Sequence, residues 1–243
     1  MKISRLPDTD LARIAPLTLD EQIKQLRLIR EKEIRMSYQQ LRSVLPELFN
    51  MGSDLLGPSK PSPWKFIAKR LQKKCRRGIE LEANLRAAKS LYQYANSEGI
   101  HALKQEFPPL RLGIHQEVRF WQQMLILIDG KPFIPFIEPR TSYGLSNDGR
   151  VFAFSMMHEH IRASDPDYSD VGFTIFQLGK PSKNPDTGEK TRSTRVYFDH
   201  SVDLLSMEEL EKMAATTYGL WAEVLAEKDA PAAPATGTGG LLL

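Results

Sequence analysis

Met124-Leu-Ile-Leu-Ile-Asp129-Gly130-Lys-Pro-Phe-Ile-Pro-Phe-Ile-Glu138 decides the fold class. Two runs rich in β-branched and aromatic residues flank Asp-Gly, the dipeptide whose backbone most readily takes the positive φ angles of a tight hairpin turn. The spacing predicts an extended stretch over Glu117 to Ile128, a turn at Asp129 and Gly130, and a second strand over Lys131 to Glu138. In that register Ile126 faces Phe133, Leu125 faces Ile134 and Met124 faces Pro135, so both faces of the hairpin are apolar. A sheet with two apolar faces needs a covering layer on each side.

The covering layers are sought in the flanking sequence. Apolar residues Ile23, Leu26, Ile29, Ile34, Leu41, Leu45 and Leu48 recur mostly at steps of three and four, which predicts one long amphipathic helix from Leu19 to about Leu48. A Gly, Pro and Ser-rich loop runs from Met51 to Pro63. Trp64, Ile67, Leu71 and Cys75 then mark the buried stripe of a second helix, and Ile79 to Asn96 reads as a third that stops near Gly99.

Beyond the hairpin, Val151, Phe154, His158 and Ile161 favour a helix over 151–162, with Ser146 or Asn147 as its cap. Gly172 to Leu178 and Arg195 to His200 read as strands joined by a polar loop. Ser206 with Glu209 forms a capping box for a final helix reaching about Ala226, and Leu205 with Leu210 stands in the staple positions. The expected fold is therefore α+β, with a helical N-terminal half packed on a small, mainly antiparallel sheet of about four strands and a C-terminal helix. Three regions are expected: a helical region over 1–107 with the basic helix, an integrated α+β region over 108–229, and a flexible tail of small residues over 230–243.

Composition narrows the function. The 243 residues are 41% hydrophobic, enough for a sizeable core, and 26% charged. The longest apolar run, Met124 to Ile128, is far short of the roughly 20 residues that span a bilayer, so no membrane role is expected. The first residues lack the apolar run of a signal peptide, and a lone Cys75 suits a reducing, cytoplasmic setting.

Charge is unevenly spread. Lys60 to Lys89 holds ten Lys or Arg against two acids, a net +8, whereas Asp203 to Asp229 holds seven acids against two lysines, a net −5. Lys65, Lys69, Arg70, Lys73, Lys74, Arg76 and Arg77 at helical spacing point to phosphate contacts, since such a row can follow a nucleic-acid backbone and release its counterions. Lys183, Lys190, Arg192 and Arg195 would extend the surface if their loop lay nearby. The competing reading is a solvated helix face, or one neutralised by the acidic final helix.

Catalytic motifs are sparse. Asp129 with Glu138-Pro-Arg140 resembles the carboxylate pair of a Mg²⁺-dependent nuclease, but Asp129 has a turn to make and Arg140 cannot act as a base. His158-Glu159-His160 gathers imidazoles, yet residues two apart diverge on a helix. Asp165, Asp167 and Asp170 depart from the calcium-loop pattern and read as a turn cluster. No nucleophile elbow, dinucleotide fingerprint or phosphate loop is present. These observations point to an intracellular nucleic-acid-binding or nucleoprotein-accessory protein without metal or cofactor. The alternative is a non-enzymatic protein-interaction module that self-associates or docks a protein partner, and a nuclease at Glu138 stands third.

Overall fold

The structure, a computed structural model, describes residues 4–31, 37–52, 61–76, 78–140, 144–183, 188 and 190–229. Helices α1 (Asp8–Ile14), α2 (Leu19–Glu31), α3 (Gln39–Arg42), α4 (Leu45–Leu48), α5 (Trp64–Lys74) and α6 (Gly78–Ser97) come first. Strands β1 (His101–Lys104), β2 (Leu110–Leu112), β3 (Gln116–Val118), β4 (Met124–Ile128) and β5 (Lys131–Glu138) follow. After α7 (Asn147–Met157) come β6 (Gly172–Leu178), β7 (Ser182–Lys183), β8 (Lys190–Thr191), β9 (Thr194–Phe198) and α8 (Met207–Asp229). The central sheet has the order β1-β4-β5-β6-β9, and all its pairings are antiparallel except β5 with β6. The α+β class follows directly.

The hairpin forms as its sequence dictates. Asp129 at φ 50° and Gly130 at φ 73° make the turn, and Ile126 pairs with Phe133. Alternate residues of β5 and β6 then enter two separate cores. Ile134, Phe136, Phe173 and Ile175 face one core with Leu11, Leu26, Phe152, Leu210 and Trp221, so α1, α2, α7 and α8 cover that side. Phe133, Ile137, Phe176 and Leu178 face the other with Leu41, Leu48, Ile67, Leu71 and Leu91, supplied by α3 to α6. The result is a three-layer sandwich, which is how a sheet with two apolar faces is kept from water.

One expectation about the helices is overturned. Leu19 to Leu48 is not a single helix: α2 is described over Leu19–Glu31, Ser37 and Tyr38 are not helical, and α3 and α4 are short. Leu26 belongs to the first core, whereas Leu41, Leu45 and Leu48 belong to the second, so the stripe is shared between opposite sides of the sheet. Pro46, with no amide proton to donate, stands in the first turn of α4 and marks a helix start instead of an interior. Asn84 of α6 holds the entry to α3, accepting from the Leu41 amide at 2.9 Å and donating to the Ser37 carbonyl.

Strand content also exceeds expectation. His101–Lys104 forms an edge strand on β4, and the stretch from 117 to 128 divides into β3 and β4. Ser146 caps α7, accepting from the Gly149 amide at 3.0 Å, and Ser206 and Glu209 close the expected box at the start of α8. The loop at Met51 to Pro63 and the tail over 230–243 fall largely or wholly outside the described residues.

Candidate functional site

Glu138 ends β5 with its side chain fully buried. Its Oε1 accepts from the Arg140 amide at 3.0 Å and from Arg140 Nε at 3.2 Å, and Arg13 Nη2 lies 3.6 Å from Oε2. Arg140 also donates to Asp10, so the cluster ties α1 to the end of the sheet. Burial pulls the Arg13 pKa down while Glu138 pulls it up, the balance of a buried ion pair. Asp129 occupies the turn at the other end of β5, roughly 30 Å of strand away at about 3.3 Å per residue. The nuclease reading at Glu138 is therefore corrected: the two carboxylates it needs are separated by the whole strand, and Glu138 is sealed by arginines.

The histidine pair resolves in the same direction. His158 and His160 lie on a π-type turn, His158–Arg162, that continues α7. His160 stacks on Trp121 with ring centroids 5.0 Å apart, and its Nε2 is 2.9 Å from the Pro108 carbonyl. Burial lowers its pKa, opposed by the Pro108 contact. Asp165 caps a short turn by accepting from the Asp167 amide. Among the described residues no three His, Cys, Asp or Glu side chains come together as a metal would require.

Arg192 was expected near a basic surface and is instead interior. It is 6% exposed and donates to the carbonyls of Pro139 at 2.6 Å, Gly179 at 2.8 Å, Leu178 at 3.1 Å and Arg140 at 3.2 Å. A fork of five donors satisfies the loose backbone ends of β5 and β6 at once. Burial lowers its pKa, and the adjacent Tyr38 hydroxyl opposes that.

The remaining concentration of functional groups is α5. Ile67 and Leu71 are buried against α3 and α6, and the opposite side of the helix is open. Lys65, Lys69, Arg70, Lys73, Lys74 and Arg76 are all exposed; Arg77 lies outside the described residues. Arg70 is paired with Glu47, and Lys65 sits 5.3 Å from the Phe66 ring centre. The acidic helix does not neutralise this row. Glu227 of α8 pairs with Arg27 and Arg30 of α2, on the far side of the sheet. At 59% exposure, Phe66 stands on the open face, between Lys73 and Arg70 by helical angle. The aromatics that would stack on bases are otherwise engaged: Trp64 and Tyr92 pack on each other with ring centroids 5.6 Å apart.

Two further surface features carry exposed apolar side chains. Leu103 of the edge strand β1 and Leu127 of the adjacent β4 are 42% and 36% exposed. Asp20, Ile23, Lys24, Arg27 and Leu28 line a depression along α2, but all five come from one helix and bring no convergent polar groups. Among the described residues, then, the molecule presents exposed charged and apolar faces suited to contact. The chain belongs to the family described as sliding clamp-binding bacterial toxin SocB, whose model matches residues 9–231. It is 35% identical to the DNA replication inhibitor toxin SocB of Caulobacter vibrioides over 240 residues, covering 99% of this chain and 98% of that protein. No solved structure matches it.

This membership overturns the leading expectation of a nucleic-acid-binding protein. The family is described by a protein partner, a sliding clamp, and the alternative of a protein-interaction module fits it better. The physical reason for the error is that a basic helical row satisfies phosphates and carboxylates alike, while the exposed aromatic within it had no signature apart from its spacing. No helix among the described residues is long and apolar enough to cross a membrane.

Proposed function

We propose that this chain binds the bacterial sliding clamp and inhibits DNA replication through that protein contact, acting inside the cell as a toxin. The observation that carries the reading is similarity along nearly the whole chain, 35% over 240 residues, to a toxin described as a DNA replication inhibitor. The family model supports it independently over residues 9–231. Inhibition by contact needs only that the chain occupy a surface which replication proteins must share. The test is DNA synthesis by a reconstituted replication system with and without the clamp. Added protein should reduce clamp-dependent synthesis and leave clamp-independent synthesis unchanged; equal inhibition of both would refute the reading.

A further inference from the structure

The open face of α5 combines three properties that seldom coincide on an idle surface. It carries Lys65, Lys69, Lys73 and Lys74 with no ion-pair partner among the described residues, and no acid lies within the helix. It places an aromatic ring, 59% exposed, at the centre of that charge. It also lies on a helix held by Ile67, Leu71 and Trp64, whose outer side chains are exposed among the described residues. Exposing a phenylalanine forfeits the gain from burying it, and such rings, set within charged surroundings, are the usual anchors of protein interfaces.

Helical geometry shows how the groups would act together. With 100° per residue, Ile67 and Leu71 point to the core, while Lys69, Lys73 and Phe66 lie within about 60° of one another on the opposite side. Lys65 flanks the ring and touches it. A partner meeting this face buries Phe66 first and brings its own charges against the flanking lysines. An acidic surface adds attraction to that contact, steering approach and fixing orientation, whereas a basic one would repel it. α8 does not supply this compensation, since it packs on α2 across the sheet, and among the described residues the α5 ion pair is Arg70 with Glu47.

We infer that the outer face of α5 is a docking surface for a protein partner that carries carboxylates around an apolar socket, with Phe66 filling the socket and Lys69 and Lys73 meeting the carboxylates. The inference rests on the proposed function, which makes the sliding clamp that partner. Phe66 is the anchor, and the lysines steer approach and fix orientation. Because they stand in solvent, their contribution is screened by salt, whereas that of the buried ring is not.

The experiment measures binding of the intact chain to the purified sliding clamp of the same organism by calorimetry or surface resonance, across a salt series. Three variants accompany it: Phe66→Ala, the double variant Lys69→Glu with Lys73→Glu, and Glu211→Lys on α8 as a control. All four positions are exposed, and circular dichroism with thermal melting checks that each variant remains folded. The expected result is a loss of about tenfold or more in affinity for each α5 variant and no change for the control. The Phe66→Ala loss should persist at high salt, and the lysine effect should shrink. Unchanged affinity in the folded α5 variants overturns the inference while leaving clamp binding itself intact. Loss of self-association, with clamp binding retained, would assign the face to a second copy and overturn it too. Failure of the intact chain to bind the clamp refutes the underlying reading and this assignment with it.

Discussion

Leu26 and Leu41 belong to one apolar series in the sequence but are buried on opposite faces of the central sheet, the first among α1, α2 and α8 and the second among α3 to α6. Both are almost fully buried. Replacing either by alanine removes apolar contact and leaves a cavity, for an expected loss of about 3 kcal/mol. Because the two sites share no neighbours, the double variant should lose the sum of the two to within about 0.5 kcal/mol. Urea unfolding of the four proteins measures this. A strongly non-additive result would mean that the two cores are coupled through the sheet.

Arg192 is the clearest stability lever outside the cores. Its guanidinium satisfies four backbone carbonyls at the ends of β5 and β6. Arg192→Met keeps some volume and leaves those carbonyls without a donor, which should cost about 3 kcal/mol or more. Arg192→Lys should recover little, since one ammonium cannot reach acceptors spread around a planar fork. Denaturation midpoints test both; near-complete recovery by lysine would show that charge alone matters.

His160 gives a pH dependence with a definite sign. Burial against Trp121 holds its folded pKa below the ordinary 6.5, so the folded state favours the neutral ring. The unfolded chain then binds the proton more readily, and stability falls as pH drops from about 6.5 through the lowered folded value. The loss is complete below that value. Melting temperature measured from about pH 7.5 down to about pH 5 should show this decline, and His160→Gln should flatten it relative to the parent.

The parts of the fold that were legible are those where local chemistry and tertiary environment agree. The Asp129-Gly130 turn, β5, β6 and the Ser206 box follow from turn residues, alternation and capping, all of which act within a few residues. The edge strand β1 was not legible. His-Ala-Leu-Lys has no strand signature, and it is extended because β4 offers it hydrogen-bond partners. The separation of α2 from α3 was hidden for a similar reason: a helical period tells which residues are buried, not which core receives them.

The candidate surface was half legible. Lys65, Lys69, Lys73 and Lys74 stood out by charge, and their exposure accords with that. Phe66 did not stand out, because one aromatic residue beside a buried stripe has the same sequence pattern whether it faces the core or solvent. The conditional reading of Arg192 as part of a basic surface does not hold, because its guanidinium meets carbonyls from β5 and β6 that come together only in the folded sheet.

The central claim is that this chain acts by holding the sliding clamp. Its most direct test is titration of the purified clamp with the intact chain, read by calorimetry at about physiological salt. The account predicts saturable binding with a Kd of about 1 μM or tighter, that is, about 8 kcal/mol or more of association free energy. Absence of saturable binding up to about 100 μM clamp, with the chain shown to be folded, would contradict it.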